Sequence, residues 1–367
     1  MKDIKNMTTE ELEALLKEKR RKQSQLHNSQ MAIKIAMNSL YGACANRYFL
    51  YYIPEMAEAI TTSGQLSIRY AEKSVNTYLN SVMKTQNKDY IAYIDTDSIY
   101  VDLSSLIEKV FGKLDITREQ GEKFLDEVCG TKLEKVISDG YEELAKKMGA
   151  YRNAMSMKRE KITDKTIFIA KKRYIMNVLN SEGVQYTHPK ISVTGVESVR
   201  SSTPEVCRKK MEEAFKIFLN EDEASAQKFI QKFRDEFKTL PASEIGKTSG
   251  TDDIEKFIEG GTYKKGTPIH VRGSILYNDF LRKKKLENTH ETIRSGDKVK
   301  FVYLKIPNPI RENVISFPGQ LPKDFGLEQY IDYDTQFDKV FLHPLSIVLK
   351  ALNWSPEKVD TIEDFFS

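Results

Sequence analysis

Cysteine, long apolar runs and net charge are all scarce in this sequence. Its 367 residues include only three cysteines, Cys44, Cys129 and Cys207, without metal-ligand spacing, so we expect reduced and ordinarily buried thiols. No run of about 18 apolar residues occurs, and residues 1–5 are polar and have no apolar signal-peptide core. We therefore predict a soluble cytoplasmic protein that is neither exported nor embedded in a membrane.

The charges nearly balance, with 57 basic and 53 acidic residues and a formal net charge of +4, so no global field indicates nucleic-acid binding. Evidence for nucleic-acid binding therefore has to come from local clusters of basic residues. One basic run is equally compatible with a solvated helix face and with contact to nucleic-acid phosphates: Lys17, Lys19, Arg20, Arg21 and Lys22. With 40% hydrophobic residues, the chain is long enough for two or three domains.

A polar stripe is predicted on one face of a helix near the N-terminus. Lys34, Asn38 and Tyr41 stand at positions i, i+4 and i+7, so a helix would present all three on the same side. A lysine, a short amide and an aromatic ring on one helix face match a ligand that carries phosphates and a flat base. The opposite face is apolar and is expected to pack: Ala32, Ile33, Ala36 and Leu40.

An acidic turn interrupts a β-rich stretch further along the chain. The apolar run Tyr90–Ile94 is followed by Asp95, Thr96 and Asp97, after which a second run continues to Val101. This pattern predicts a hairpin with two crowded carboxylates at its tip. Because crowded carboxylates repel, a divalent cation such as Mg²⁺ would stabilise the pair. Taken alone, the turn is better explained by turn chemistry than by metal binding, since Asp accepts backbone hydrogen bonds in turns that bind nothing.

Periodicity predicts the remaining elements. A capping box of Thr8 and Glu11 predicts a helix from about Thr9 to Leu40. Further helices are predicted at residues 55–79, 103–147 and 204–240. Strands are predicted at Met157–Glu160, Thr166–Tyr174, Val184–Val193 and His270–Tyr277.

Two strings resemble the second and third polymerase motifs of the family B DNA polymerases, in particular the replicative enzymes of T-even-type bacteriophages. They are Lys34-x-x-x-Asn38-Ser39-Leu40-Tyr41-Gly42 and Asp95-Thr96-Asp97-Ser98. Four further strings follow the order of similar strings in that family: Ala59–Gln65, Lys171–Tyr174, Ser201–Pro204 and His270–Gly273. The resemblance therefore extends from about Thr9 to the last residue.

The resemblance implies an α+β fold made of polymerase domains. Residues 1–45 would be a partial fingers domain with its second helix, and residues 46–195 a palm with an antiparallel sheet backed by helices. Residues 196–357 would form a mostly helical thumb. Residues 358–367 would be a tail that binds a sliding clamp through Phe365 and Phe366, although the tail could also fold back on the thumb.

The resemblance also implies roles for the site residues. Asp97 would ligate the metal and Asp95 would support the site, with two Mg²⁺ ions expected in the assembled enzyme. Lys34 would neutralise the charge of a deoxynucleoside triphosphate, while Asn38 and Tyr41 would line the nascent base-pair pocket. Contacts to the primer-template DNA are expected from the basic strings, at Lys171, Lys172, Arg173, Tyr174 and Arg272.

Two departures from the family pattern lie near the expected metal site. Ile94 replaces the small residue that many relatives carry before the first Asp, which could alter the turn but removes no ligand. Glu160 stands where the family has an acidic residue near the metals, yet Lys158 replaces an acid found in the phage relatives. A half-exposed strand carboxylate is therefore an equally good interpretation of Glu160.

Several parts of a complete family B polymerase are absent from the sequence. The motif with an Asp followed by Ser-Leu-Tyr-Pro, the exonuclease domain, the N-terminal domain and the first fingers helix are not found. We therefore expect the C-terminal subunit of a split phage polymerase, in the host cytoplasm, active only with an N-terminal-half partner. The alternative is a non-catalytic DNA-binding or clamp-tethered remnant of a polymerase.

Overall fold

The computed structural model describes residues 7–112, 116–196 and 200–358. The chain forms two compact units, Met1–Lys158 and Arg159–Ser367, and both combine helices with small antiparallel sheets. The predicted α+β class is therefore confirmed, while the predicted domain boundaries at residues 45, 195 and 357 stay predictions. Within the described part of the chain, no helix is both long enough and apolar enough to cross a bilayer.

Two long helices open the first unit. Helix α1 spans Thr9–Cys44 and begins with the predicted capping box, in which the side chains of Thr8 and Glu11 each accept a hydrogen bond from the other residue's backbone N–H. The helix is continuous. Its capped first turn and its many good helix formers therefore outweigh the low helix propensity of the Asn and Ser residues in its interior. Helix α2 spans Pro54–Met83, and its initial proline needs no hydrogen-bond partner there.

The rest of the first unit packs on the second half of α2. A hairpin of β1 (Ile91–Asp95) and β2 (Ser98–Val101) is followed by α3 (Ser104–Phe111), α4 (Arg118–Val128), a π-helical turn (Cys129–Leu133) and α5 (Glu134–Lys147). Helix α5 lies so close to α2 that a side chain on Gly140 would collide with Ser74. The shared core consists of Ala71, Val75, Leu79, Tyr90, Leu133, Ile137 and Tyr141.

Helix α1 does not bury the apolar face that the sequence led us to expect. Ile33 is 63% exposed and Leu40 is 62% exposed, and only Cys44 at the end of the helix is buried. At 100° per residue, six exposed apolar side chains fall on about a third of the helix circumference, while exposed Met31 and Ile35 lie outside that third. They are Leu12, Leu16, Leu26, Ile33, Met37 and Leu40, here called the α1 apolar stripe.

The second unit begins with a three-stranded antiparallel sheet of β3 (Lys161–Ala170), β4 (Arg173–Ser181) and β5 (Val184–Thr194), with β4 in the centre. Helices α6 (Glu205–Asn220) and α7 (Glu223–Phe237) follow, and then the short α8 (Ala242–Ile245). Cys207 on α6 is fully buried, and burial raises the pKa of its thiol to about 12. The thiol therefore stays protonated at neutral pH, as expected of a structural cysteine.

The remainder of the second unit surrounds an aromatic core. Strand β6 (Lys247–Gly250) joins β9 (Lys298–Tyr303) and β10 (Val314–Phe317) in a sheet of order β10-β9-β6. A small hairpin of β7 (Ile258–Glu259) and β8 (Thr262–Tyr263) precedes α9 (Ile269–Lys284), and α10 (Tyr333–Phe337) and α11 (His343–Leu352) complete the unit. The rings of Phe233, Phe237, Phe337 and Phe341 lie between 4.6 and 5.8 Å apart.

Three strand predictions were wrong. The stretch Thr166–Tyr174 is split by a two-residue turn between Ala170 and Arg173. The stretch Met157–Glu160 lies outside the strands, although the carbonyl oxygen of Glu160 accepts a hydrogen bond from the backbone N–H of Glu182. The stretch His270–Tyr277 belongs to α9, which begins directly after Pro268. Within this window positions 271, 273, 275 and 277 are indeed buried, which mimics the alternation of a strand. Ser274 and Leu281 are buried as well, because the core contacts a broad face of the helix.

Truncation of the aromatic core tests the packing of the second unit. Phe233 is 2% exposed and contacts three other rings, so Phe233→Ala should lower the free energy of unfolding by about 3–5 kcal/mol through lost burial and a residual cavity. Lys232→Ala, on the exposed side of the same helix, is the matched control and should change it by less than about 0.5 kcal/mol. Urea unfolding measures both, and equal effects would contradict this packing.

Candidate active site

The two predicted metal ligands lie together at the tip of the β1–β2 hairpin. Asp95 ends β1 and pairs with Ser98 at the start of β2, so Thr96 and Asp97 form the turn between them. Asp97 is exposed and Asp95 is half-buried. Two carboxylates, separated by one residue at an accessible tip, offer only oxygen donors, which is the ligand type that Mg²⁺ prefers.

The turn at this tip is unusually tight. The backbone N–H of Asp97 donates to the carbonyl oxygen of Asp95 at 2.6 Å, which is the hydrogen bond of a three-residue γ-turn. Its central residue, Thr96, has φ = +56°, a conformation that is rare for a β-branched residue. Side-chain hydroxyls support the turn, since Thr96 donates to the Asp95 carboxylate and Ser98 donates to the Asp95 carbonyl. Such backbone outliers cluster at functional sites.

A polar network fixes the base of the same hairpin to α2. Asn76 donates from Nδ2 to the Asp89 carboxylate and accepts from the backbone N–H of Tyr90, both at 2.8 Å. Hydrogen bonds from the Ile91 backbone and the Asn76 side chain lower the pKa of Asp89. On the other strand, hydrogen bonds from Ser104 lower the pKa of Asp102. The β1 end of the hairpin is therefore anchored to α2, and the β2 end is held to the start of α3.

The predicted nucleotide-binding residues share the exposed side of α1. Lys34, Asn38 and Tyr41 all lie within this continuous helix, so the spacing that predicted a common face holds. All three are exposed, and Tyr41 keeps 40% of its accessible surface. Beyond the helix, Arg47 lies over the ring of Tyr48 at 4.8 Å.

The predicted DNA-contacting string forms a turn between two strands of the second unit. Ala170 pairs with Arg173, so Lys171 and Lys172 are the two loop residues, here called the basic turn. Both lysines and Arg173 are exposed, whereas Tyr174 is only 8% exposed and its ring lies 6.1 Å from that of Phe168. The three cations are therefore accessible to phosphates, while the tyrosine anchors the turn to the sheet.

Arg272 lies on α9 in a half-buried polar cluster. Its guanidinium donates to the side-chain oxygen of Asn313 and lies over the ring of Tyr263 at 5.5 Å. The hydroxyl of Tyr263 donates to Glu312, and this hydrogen bond raises the pKa of Tyr263. The buried Nε of Arg272 has no hydrogen-bond partner among the described residues.

The other predicted positions are less informative. Glu160 is exposed, and its carboxylate lies 3.8 Å from the ammonium of Lys161. Phe365 and Phe366 lie outside the described residues, which end at Lys358. No cluster of three or more His, Cys, Asp and Glu side chains that could hold a metal occurs in the part of the chain that the structure describes.

Sequence reasoning missed the residues that position these groups. Asn76 connects α2 to a loop 13 residues further on, and nothing in its neighbourhood distinguishes it from a surface asparagine. Asn313 and Glu312 reach Arg272 and Tyr263 only because the sheet places the β10 end of the chain beside α9. A single sequence carries no signal for such long-range partners.

A model of DNA polymerase family B matches residues 5–351, which is nearly the whole chain. The chain therefore belongs to DNA polymerase family B, and the resemblance read from the motifs is confirmed. It is 31% identical over 380 residues to the DNA-directed DNA polymerase of Enterobacteria phage T4, and 32% identical over 376 residues to that of Escherichia phage RB69. It is also 22% identical over 347 residues to a DNA polymerase delta catalytic subunit of Dictyostelium discoideum.

The matches cover nearly all of this chain but less than half of each relative. They take in 100%, 99% and 92% of this chain, but only 42%, 41% and 27% of the phage T4, phage RB69 and Dictyostelium proteins respectively. The chain thus spans less than half the length of the curated relatives that it matches.

Removal of the hairpin anchor is expected to destabilise the first unit in a pH-dependent way. Asn76→Ala leaves the part-buried Tyr90 N–H without its partner, at a cost of about 1–3 kcal/mol at neutral pH. Asn76 also helps to hold the folded-state pKa of Asp89 below its unfolded value. The stabilisation that comes from this hydrogen bond to the Asp89 carboxylate is therefore present above about pH 4 and is lost as pH falls through the folded pKa.

Urea unfolding of Asn76→Ala and of the unsubstituted chain, at pH 7 and at about pH 3, measures this effect. The difference between the two proteins should narrow in acid. Thr77→Ala, an exposed and uncharged neighbour on α2, is the control and should show no such narrowing. A difference that stays constant or grows in acid would contradict the proposed Asn76–Asp89 anchor.

Proposed function

We propose that the chain is the C-terminal subunit of a split DNA-directed DNA polymerase and contributes palm, partial fingers and thumb to template-directed nucleotidyl transfer. The single observation that carries the proposal is the exposed hairpin tip with Asp95 and Asp97, in a chain of family B. Family membership alone would be compatible with a non-catalytic remnant. An anchored hairpin with an accessible acidic tip is what a metal-dependent transferase needs.

Asp97 is proposed as the direct metal ligand, and Asp95 as the carboxylate that supports the site. When bound, two Mg²⁺ ions would stabilise the charge that develops on the triphosphate and activate the primer hydroxyl. The donor set supports this assignment, because both side chains offer oxygen ligands at one accessible tip. A further carboxylate is proposed to come from the remaining part of the polymerase.

Helix α1 is proposed to hold the incoming deoxynucleoside triphosphate. Lys34 supplies a positive charge for the phosphates, while Asn38 and Tyr41 contact the nascent base pair. Their common face on one rigid helix supports this assignment, because a fixed spacing lets phosphates and base be held at the same time. The exposure of all three side chains leaves them available to a ligand.

The second unit is proposed to hold primer-template DNA. The exposed cations Lys171, Lys172 and Arg173 contact backbone phosphates, which positions the duplex without reading its sequence. Arg272 contributes its charge from the neighbourhood of Tyr263 and Asn313. The tail with Phe365 and Phe366 is proposed to tether the assembly to a sliding clamp.

An N-terminal-half partner is proposed to complete the enzyme. The α1 apolar stripe runs over nearly the whole helix, and water-exposed apolar area of that length favours burial against another protein surface. The phage relatives are more than twice as long as the match, and a polypeptide equivalent to their remaining part would be the surface that covers the stripe. We propose that this polypeptide is a separate chain.

Substitution of the proposed metal ligand tests the function. In the complex with its N-terminal half, Asp97→Asn should lower the rate of primer extension at least about a thousandfold, because metal-mediated charge stabilisation is worth several kcal/mol. Asp102→Asn is the matched control, since it makes the same chemical change at the other end of β2 and its amide oxygen can still accept from Ser104. The control should extend at nearly the unsubstituted rate.

Two outcomes would contradict this proposal. Unchanged extension by Asp97→Asn would remove Asp97 from the metal site. Equal losses in Asp97→Asn and Asp102→Asn would assign the effect to folding of the hairpin rather than to chemistry. If the unsubstituted complex binds primer-template DNA but extends it under no condition, a non-catalytic, clamp-tethered module becomes the better description.

A further inference from the structure

Gly195, the first residue after β5, lies against the backbone of the basic turn. Thr194 pairs with Tyr174, so the chain leaves the sheet directly beside Lys172 and Arg173. A Cβ atom built on Gly195 would lie 3.1 Å from Cγ of Arg173 and 3.2 Å from the carbonyl carbon of Lys172. The carbonyl oxygen of Lys172 would be closer still, well inside the separation that real Cβ atoms keep.

The backbone of Gly195 is also restricted to glycine-like conformations. Its φ of +67° lies in the left-handed region, where a side chain is disfavoured even in open space. Two independent features therefore exclude a side chain here, namely the dihedral angle and the contact with Lys172. Of the two, only the contact connects Gly195 to the basic turn.

Backbone clearance at this point affects where Lys172 and Arg173 project. The turn has only two loop residues between the paired Ala170 and Arg173, and Lys172 itself has φ = +61°. Such a loop relieves a collision at the Lys172 carbonyl by rotating the peptide between Lys172 and Arg173. That rotation changes ψ of Lys172 and φ of Arg173, and it re-aims these two side chains.

We propose that Gly195 is a positioning residue for DNA binding, whose missing side chain lets the basic turn present Lys172, and the adjoining Arg173, to the duplex backbone. This inference rests on the proposed role of the basic turn in holding primer-template DNA. Gly195 itself contacts no DNA. It acts by leaving room for the Lys172 carbonyl.

Gly183 provides a matched control. It also has a positive φ, +84°, in the β4–β5 connection of the same sheet, but a Cβ atom there would meet nothing within 4 Å. Gly195→Ala and Gly183→Ala thus carry a similar dihedral penalty, while only the first collides with the basic turn. A second pair, Gly195→Asn and Gly183→Asn, lessens that penalty because Asn tolerates left-handed φ, and it serves if an alanine variant does not fold.

The test measures binding of the full chain to a primer-template duplex between about 50 and 200 mM salt, where the slope of log affinity against log salt counts phosphate contacts. Gly195→Ala should bind about tenfold more weakly, with a slope reduced by about 1–2. Gly183→Ala should keep the unsubstituted affinity and slope. A loss of stability without loss of phosphate contacts would leave the slope unchanged, so the slope separates positioning from folding.

A double-mutant cycle connects the effect to the two cations beside the rotated peptide. Lys172→Ala with Arg173→Ala should itself weaken binding and reduce the slope, and adding Gly195→Ala to that variant should change neither further. Unsubstituted affinity and slope in Gly195→Ala would overturn the positioning role, and so would equal effects of the two glycine variants. If the variant without Lys172 and Arg173 binds normally, the DNA-binding role of the basic turn fails instead, which is a different result.

Discussion

The proximity of two carboxylates at the β1–β2 tip is the constraint on which the rest of this structure depends. Asp95 and Asp97 repel each other when both are ionised, and the turn between them adds backbone strain at Thr96. The hairpin tolerates this cost because its base is held by hydrogen bonds to Asn76 on α2, which packs against α5. The unfavourable charge repulsion is therefore concentrated at the tip of the hairpin, where a bound divalent cation would offset it.

The α1 apolar stripe is a second unfavourable feature of the first unit, because it exposes apolar side chains to water. Unlike the carboxylates, these side chains cannot be satisfied by an ion, since apolar area is stabilised only by other apolar area. The capping box satisfies backbone donors of the first turn only, so most of the helix depends on the propensity of its own residues. Helix α1 therefore presents Tyr41 within the α1 apolar stripe, with Lys34 at its edge and Asn38 just beyond it.

Local patterns predicted more of this structure than long-range ones did. The capping box at Thr8, the continuous α2 and the Asp95–Asp97 hairpin depend on contacts within a few residues, and periodicity and turn chemistry describe such contacts well. The sequence predicts a single strand over Thr166–Tyr174, because the lysines of the basic turn do not interrupt its hydrophobic pattern. Asn76, Gly195 and Asn313 could not be found, because each matters through a residue distant in sequence.

Primer extension with Mg²⁺ and four deoxynucleoside triphosphates tests the central claim most directly. The chain, its N-terminal-half partner and their mixture would be assayed separately on the same primer-template. The proposed shared site predicts extension in the mixture and in neither component alone. Extension by this chain alone would mean that its own residues complete the metal site, which would contradict the account.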